Sequence, residues 1–202
     1  MPIAAQFAVS GSVQGRSYGV STNINSGAAL QIDESCLVGQ AGSLTTRTNN
    51  TVGTVTLTVN AVTLVTSDVA DVYWSGGMRR GVVLGTVAGT SCPLTDSGSG
   101  DNLPVVNTAV VVSPTRVVNT SIVGANVKSI TIDSASDQDG AYSILASGVE
   151  TLGAKLVGGA DYIWFDGNGI TNPVTGSTQT QIRVSQGGVT ANNVIRGSIQ
   201  YG

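Results

Sequence analysis

The stretch Val69-Ala70-Asp71-Val72-Tyr73-Trp74-Ser75-Gly76-Gly77-Met78-Arg79-Arg80-Gly81-Val82-Val83-Leu84 decides the fold class. Runs rich in β-branched and aromatic residues flank a Gly-Gly pair, and such side chains fit a pleated surface better than a helix. Glycine tolerates the positive φ that a tight hairpin demands, so the segment reads as two antiparallel strands joined at Ser75-Gly76-Gly77. Side chains alternate along a strand, which puts Tyr73 and Trp74 on opposite faces. One ring is expected in a core and the other on the outer surface, where it can anchor a contact. Arg79-Arg80 is the one adjacent basic pair in the chain. Across the hairpin it stands near Asp71, and a contact with another subunit is its alternative use.

The same pattern continues on both sides. Upstream, Val55, Leu57 and Val59 alternate with Thr54, Thr56 and Thr58 as a half-buried strand. Val62 and Leu64 continue with the opposite parity, which places a bulge or tight turn near Asn60-Ala61. Downstream, Thr108 to Val112 reads as an apolar strand ending at Ser113-Pro114. Pro114 and the polar Asn119-Thr120-Ser121 then break the pattern. A boundary at about residues 115–120 is therefore expected, giving β domains over 1–115 and 116–202, with one continuous domain as the alternative. The second half shows strands at Val127–Ile132, Ala141–Ala146, Thr151–Val157, Asp161–Phe165, Gln179–Val184 and Asn193–Tyr201. Gly148–Lys155 is the one helix candidate, and Gly153 opposes it. Strand starts roughly 8–12 residues apart predict an all-β, antiparallel, sandwich or jelly-roll-like protein with almost no helix.

Function classes are narrowed by what is missing. The 202 residues include no histidine, and 10% of them are charged. Histidine is the usual general acid–base and metal ligand near neutral pH, so Ser-His-Asp, Cys-His and His-ligated metal sites are excluded within one subunit. Any assembly is expected to be insensitive to pH between about 6 and 8, where imidazole would titrate. No catalytic residues and no enzyme activity are expected. A carboxylate-pair glycosidase needs no histidine, but Asp161 and Asp166 bracket a strand entering a turn, which explains them better. Asp133, Asp137 and Asp139 bunch oxygens as calcium requires, yet their spacing differs from an EF-hand loop and no bidentate Glu closes it. A solvated turn is the expected role, with calcium the minority reading and no other cofactor.

Nine basic and 12 acidic residues form no basic stripe, so no nucleic-acid partner is expected. Met1-Pro2-Ile3-Ala4-Ala5-Gln6-Phe7 has neither the basic nor the apolar region of a signal peptide, and no run approaches a membrane span. A chain made in a cytoplasm and not exported is expected, with no membrane partner. Cys36 and Cys92 lack metal-ligand spacing and are expected as reduced, core or semi-buried thiols, with a single disulfide the minority reading. So thin a charge is unusual for a free monomer, and it points to a surface covered by neighbours.

The segment Val72-Tyr73-Trp74-Ser75-Gly76-Gly77-Met78-Arg79-Arg80-Gly81, followed by Ser99-Gly100-Asp101-Asn102-Leu103-Pro104, resembles segments of phage-type proteins. In overall style the chain resembles the small β-rich virion proteins of tailed bacteriophages. That resemblance implies a structural role in the virion, as a capsid decoration or cement protein or, alternatively, a tail-tube or tail-attached protein. It implies production in the host cytoplasm and two partners: further copies of the chain, expected as a trimer, and a major virion protein. Residues 1–10 and 193–202 are expected to add strands to neighbours. Tyr73, Trp74, Arg79, Arg80, Tyr162 and Trp164 are the candidate interface residues. A carbohydrate-binding or adhesive sandwich, with Tyr73, Trp74, Tyr162 or Trp164 as its platform, is the rival from another class.

Overall fold

The computed structural model describes residues 3–13, 16–26, 28–95, 97–123, 127–134, 139–157, 161–165 and 179–201. Strand is the only repetitive structure among them. The first part of the chain forms β1 (Ile3–Val13), β2 (Arg16–Ser26), β3 (Ala28–Ser35), β4 (Gln40–Arg47) and β5 (Gly53–Leu57). There follow β6 (Val69–Trp74), β7 (Gly77–Val83), β8 (Ser91–Leu94), β9 (Ser99–Gly100) and β10 (Ala109–Pro114). The remainder forms β11 (Arg116–Val123), β12 (Val127–Ser134), β13 (Gly140–Ala146), β14 (Val149–Leu156), β15 (Asp161–Phe165), β16 (Gln179–Gln186) and β17 (Val194–Tyr201). Ladder pairing between these strands is antiparallel throughout.

The chain is all-β, and its body is a half-barrel joined to a sandwich. Seven strands in the order β8-β5-β4-β10-β6-β7-β9 make one sheet. It curls around its own core of Leu44, Val55, Val72, Val82, Leu94 and Val112, with Leu64, Leu84 and Leu103 added from the connections. A flat sheet cannot cover its own apolar face; curling turns the strands toward one another and removes that face from water. A register shift between Leu44 and Thr46 helps the bend. So does Gly42, where a Cβ would come within 2.7 Å of the Thr56 carbonyl.

Two four-stranded sheets, β11-β16-β13-β14 and β15-β12-β17-β3, form the sandwich. Ile32, Ile130, Ile132, Ile195 and Ile199 from one sheet meet Tyr142, Ile144, Ile182 and Val184 from the other. The Tyr142 and Tyr162 rings lie 5.3 Å apart at 46° in this core. Each fully buried aliphatic side chain contributes roughly 1.5–3 kcal/mol relative to exposure.

The predicted β6–β7 hairpin is present, with Trp74 opposite Gly77 and Gly76 at φ 97°. Other expectations need correcting. The strand through Val55 stops at Leu57, and Val59 and Val62 lie in an irregular connection, 58% and 80% exposed. There the Gln40 side chain replaces a neighbouring strand: its Oε1 accepts from Val62 N and Thr63 N, and its Nε2 donates to Asn60 O. The helix candidate at Gly148–Lys155 falls in β14, turned back on β13 at Ser147-Gly148, both at positive φ. Asn119-Thr120-Ser121 lies within β11, whose pairing with β16 shifts register between Asn119 and Val123.

The half-barrel runs from Gln40 to Pro114, and β11 opens the sandwich two residues later. However, β3, which the sequence assigns to the first half, pairs with β17 from Val194↔Ser35 to Tyr201↔Ala28. With β12 on its other side, β17 has no edge to offer a neighbour, contrary to the role expected for residues 193–202.

Cys36 sits in the sandwich core and Cys92 in the half-barrel core, both as free thiols. Burial pushes Cys36 up to about 12 and Cys92 up to about 11. The thiolate is the reactive form, so neither should react with a disulfide reagent at pH 8 in the folded protein. Both should react in denaturant, and a thiol titration with and without guanidinium checks this.

Candidate functional site

The half-barrel and the sandwich meet across a buried polar seam. It is built by β6 and β7 on one side and by β13, β14 and β16 on the other. Arg80 on β7 holds Glu150 on β14 with two hydrogen bonds, Nη2 to Oε1 at 2.7 Å and Nε to Oε2 at 3.3 Å. Arg183 on β16 donates from Nη2 to Glu150 Oε2 at 3.3 Å and to Ser143 Oγ at 3.1 Å. Ser143 Oγ in turn donates to Glu150 Oε2 at 2.6 Å. Beside this cluster lies Asp71, 1% exposed. Its Oδ1 accepts from Gly81 N at 2.7 Å and its Oδ2 from Ser185 Oγ at 2.5 Å. A serine hydroxyl has one proton, so Tyr73 Oη, 2.7 Å away, donates to Ser185.

Gly81 makes the close approach possible. Its φ is 68°, and a Cβ there would lie 2.5 Å from Arg183 Nη2. Around the cluster, Tyr73, Met78 and Ala141 form a small apolar patch. Ser113 Oγ donates to Gln186 O, and Gly39 N donates to Gly188 O at 2.9 Å. Asp71 and Glu150 balance Arg80 and Arg183, so the four side chains carry no net formal charge. Desolvation offsets much of what such a cluster gains, so its net contribution is small while removal of one partner is costly.

The two seam carboxyls respond to pH in opposite senses. Burial raises Asp71 above the ordinary carboxylate range, against the charge of Arg183 and the hydrogen bonds from Ser185 and Gly81. At Glu150 burial also pushes upward, but hydrogen bonds from Arg80 and Ser143 and the charges of Arg80 and Arg183 outweigh it and hold the carboxyl low. A lowered carboxyl stabilises the fold above its unfolded pKa and loses that contribution as pH falls through its folded value. A raised carboxyl stabilises below its unfolded pKa and loses that contribution as pH rises through its folded value. Between about pH 4 and 7, the stability of Asp71→Asn relative to the parent should therefore rise with pH. That of Glu150→Gln should fall. Urea midpoints at the two pH values check both signs.

The other predicted residues take separate places. Arg79 turns away from Asp71 and donates to three carbonyls, Ser97 O at 3.2 Å, Gly98 O at 3.1 Å and Asp101 O at 3.4 Å. Asp101 Oδ2 accepts from Met78 N at 3.0 Å. The two segments that carry the phage resemblance are thus one unit, β7 paired with β9 and laced by Arg79. Tyr73 is buried in the seam, and half-buried Trp74 packs on the half-barrel core. Trp74 is the outward member of the pair: it is partly exposed and lines an open cavity with Ala41, Gly42 and Val111. Tyr162 packs against the sandwich core. Trp164 is placed by its backbone, opposite Ile130; its side chain lies outside what is described.

Of the calcium candidates, Asp133 lies opposite Asp161 and Arg196 in the ladders, and Asp139 pairs with Lys155 at 2.7 Å. Asp137, like Asp166 of the carboxylate pair, lies outside the described residues. Among the described residues no three acidic or cysteine side chains gather to hold a metal ion. Glu150, Arg183, Ser143 and Ser185 are the site residues that sequence reasoning missed. No protein-family model matches the chain, and no curated protein or solved structure shows significant similarity to it. The class is therefore set by the fold alone: an all-β chain whose half-barrel is locked to a sandwich by buried charge.

Proposed function

We propose that this chain is a non-enzymatic structural protein of a bacteriophage particle. In this reading it is a capsid decoration protein, made in the host cytoplasm, that works as a homo-oligomer on a major virion protein. One observation carries the reading. Of the 21 charged side chains, Asp71, Arg79, Arg80, Glu150 and Arg183 are consumed inside the chain, which thins an already charge-poor exterior. Exposed Val59, Val62, Val65, Val105 and Val149 remain outside. A freely soluble monomer relies on surface charge to resist association, whereas a building block covers such a surface with neighbours. The resemblance of residues 72–81 and 99–104 to phage-type segments supports the particle assignment. A glycan platform is less well supported, because Tyr73 and Tyr162 are taken up by packing.

The test is the mass of the purified chain in solution, alone and after mixing with phage particles assembled without it. An oligomer that co-sediments with the particles is expected. A monodisperse monomer that binds no particle but is retained on a glycan column would overturn the reading.

A further inference from the structure

The joint between the half-barrel and the sandwich is held differently from either half. Among the described residues, 12 buried side chains make the sandwich core and 13 the half-barrel core. Across the joint the buried apolar patch is only Tyr73, Met78 and Ala141. Apolar burial does not depend on protonation, so the cores resist acid in a way that a seam of charges does not. Two short connections join the halves, residues 36–39 between β3 and β4 and Thr115 between β10 and β11.

The bonds of the seam change character with distance from those connections. Sheet order runs β10-β6-β7 on the half-barrel side and β16-β13-β14 on the sandwich side. Beside the connections the bonds are neutral: Ser113 Oγ donates to Gln186 O, and Gly39 N to Gly188 O. Next come Asp71 and Tyr73, both bonded to Ser185. Farthest out, Arg80 on β7 meets Glu150 on β14. Arg80 Nε and Arg183 Nη2 each lie 3.3 Å from Glu150 Oε2, so one carboxylate stands between a cation of the half-barrel and a cation of the sandwich. Tyr73, Tyr142 and Cys36 border these groups and stay neutral in acid. Asp139, paired with Lys155, lies at the rim beside Gly187.

We propose that the seam is an acid-opened joint, at which the half-barrel turns away from the sandwich about residues 36–39 and Thr115 while both cores stay folded. Burial raises Asp71, so this acid takes its proton first. At Glu150 burial also pushes upward, but hydrogen bonds from Arg80 and Ser143 and the charges of Arg80 and Arg183 hold it low. It is the last of the two to protonate. A carboxyl held low stabilises above its unfolded pKa, and that contribution is lost as pH falls through its folded value. With both acids neutral, the seam passes from no net charge to a pair of like charges, Arg80 on one half and Arg183 on the other. Such charges repel strongly where water is scarce, and parting the halves hydrates both. With no histidine in the chain, the transition falls in the carboxyl range and not near neutrality. The device belongs to a single copy and needs no partner.

The test uses full-length Ala141→Cys and Met78→Cys variants, which place a thiol in the buried patch from either side of the joint. The probe is a dithiodipyridine, which reacts with thiols in acid. Cys36 and Cys92, buried one in each core, report in the same sample whether a core has opened. As pH falls from about 7 to about 2, the introduced thiol should react before either native one. A Glu150→Gln background should move that onset toward neutral pH. An Arg80→Met background, with no cation left on the half-barrel side of the seam, should lose the acid step. Three results would each overturn the proposal. They are an introduced thiol that reacts already at neutral pH in both variants, one that stays silent or reacts only together with Cys36 and Cys92, and an Arg80→Met onset equal to the parent's.

Discussion

Glu150→Ala is expected to destabilise the folded chain by about 3–5 kcal/mol, the cost of stranding buried charge. Arg80 and Arg183 both direct guanidinium nitrogens at this carboxylate, and their side chains are only 12% and 9% exposed. Removing the acid leaves two cations with only the Asp71 carboxyl beside them as counter-charge, in a region that water reaches poorly. The loss should also change how the molecule melts. Trp74 packs on the half-barrel core and Trp164 sits on a sandwich strand, so Trp74→Phe and Trp164→Phe backgrounds report the halves separately. The parent should give coincident urea transitions for both reporters; the Glu150→Ala variant should separate them. Unchanged midpoints and coincident curves in the variant would show that the seam does not couple the halves.

Gly81→Ala should cost about 2–4 kcal/mol. Roughly 1 kcal/mol comes from a β-carbon at positive φ, and about 1–3 from overpacking a site with no slack. Here the obstacle is the Arg183 guanidinium, whose Nη2 and Cζ would lie 2.5 and 2.9 Å from the new atom. Arg183 can move only by loosening its contacts with Glu150 and Ser143. Gly76→Ala supplies the comparison: φ there is 97°, but nothing lies within 4 Å of a Cβ. It should pay the conformational part alone, so the difference between the two denaturation midpoints isolates the seam. Equal shifts would mean that Arg183 rearranges freely.

Strand content and the central hairpin were legible because alternation and Gly-Gly turns are local signals. The seam was not, and β16 shows why. Ile182 and Val184 alternate with Gln181, Arg183 and Ser185. That is the pattern of a strand with one face in a core and the other in water. Here the polar face of Arg183 and Ser185 meets the half-barrel instead. In β13, Gly140 to Leu145 are all buried, because Ala141 and Ser143 serve the seam while Tyr142 and Ile144 serve the sandwich. Short-range periodicity separates polar from apolar faces; it does not say whether a polar face meets water or another part of the chain. Arg79-Arg80 was expected to meet Asp71 across the hairpin; instead Arg79 goes to loop carbonyls and Arg80 to Glu150. The strand at Arg116–Val123 was missed because Asn, Thr and Ser in a sheet look like punctuation when read along the chain alone.

The pairing of β3 with β17 has a consequence for how the molecule comes into being. Gln31 bonds Ser198 across 167 positions of sequence. At about 5–20 residues per second, translation leaves β3 waiting on the order of 10–30 s for its neighbour to be made. During that wait the whole half-barrel emerges and can fold as a self-contained loop between β3 and β11. The half-barrel is topologically an insert in the sandwich, and the sandwich closes last. The interval in which β3 stands as a bare edge is when a nascent chain is most open to pairing with the wrong copy.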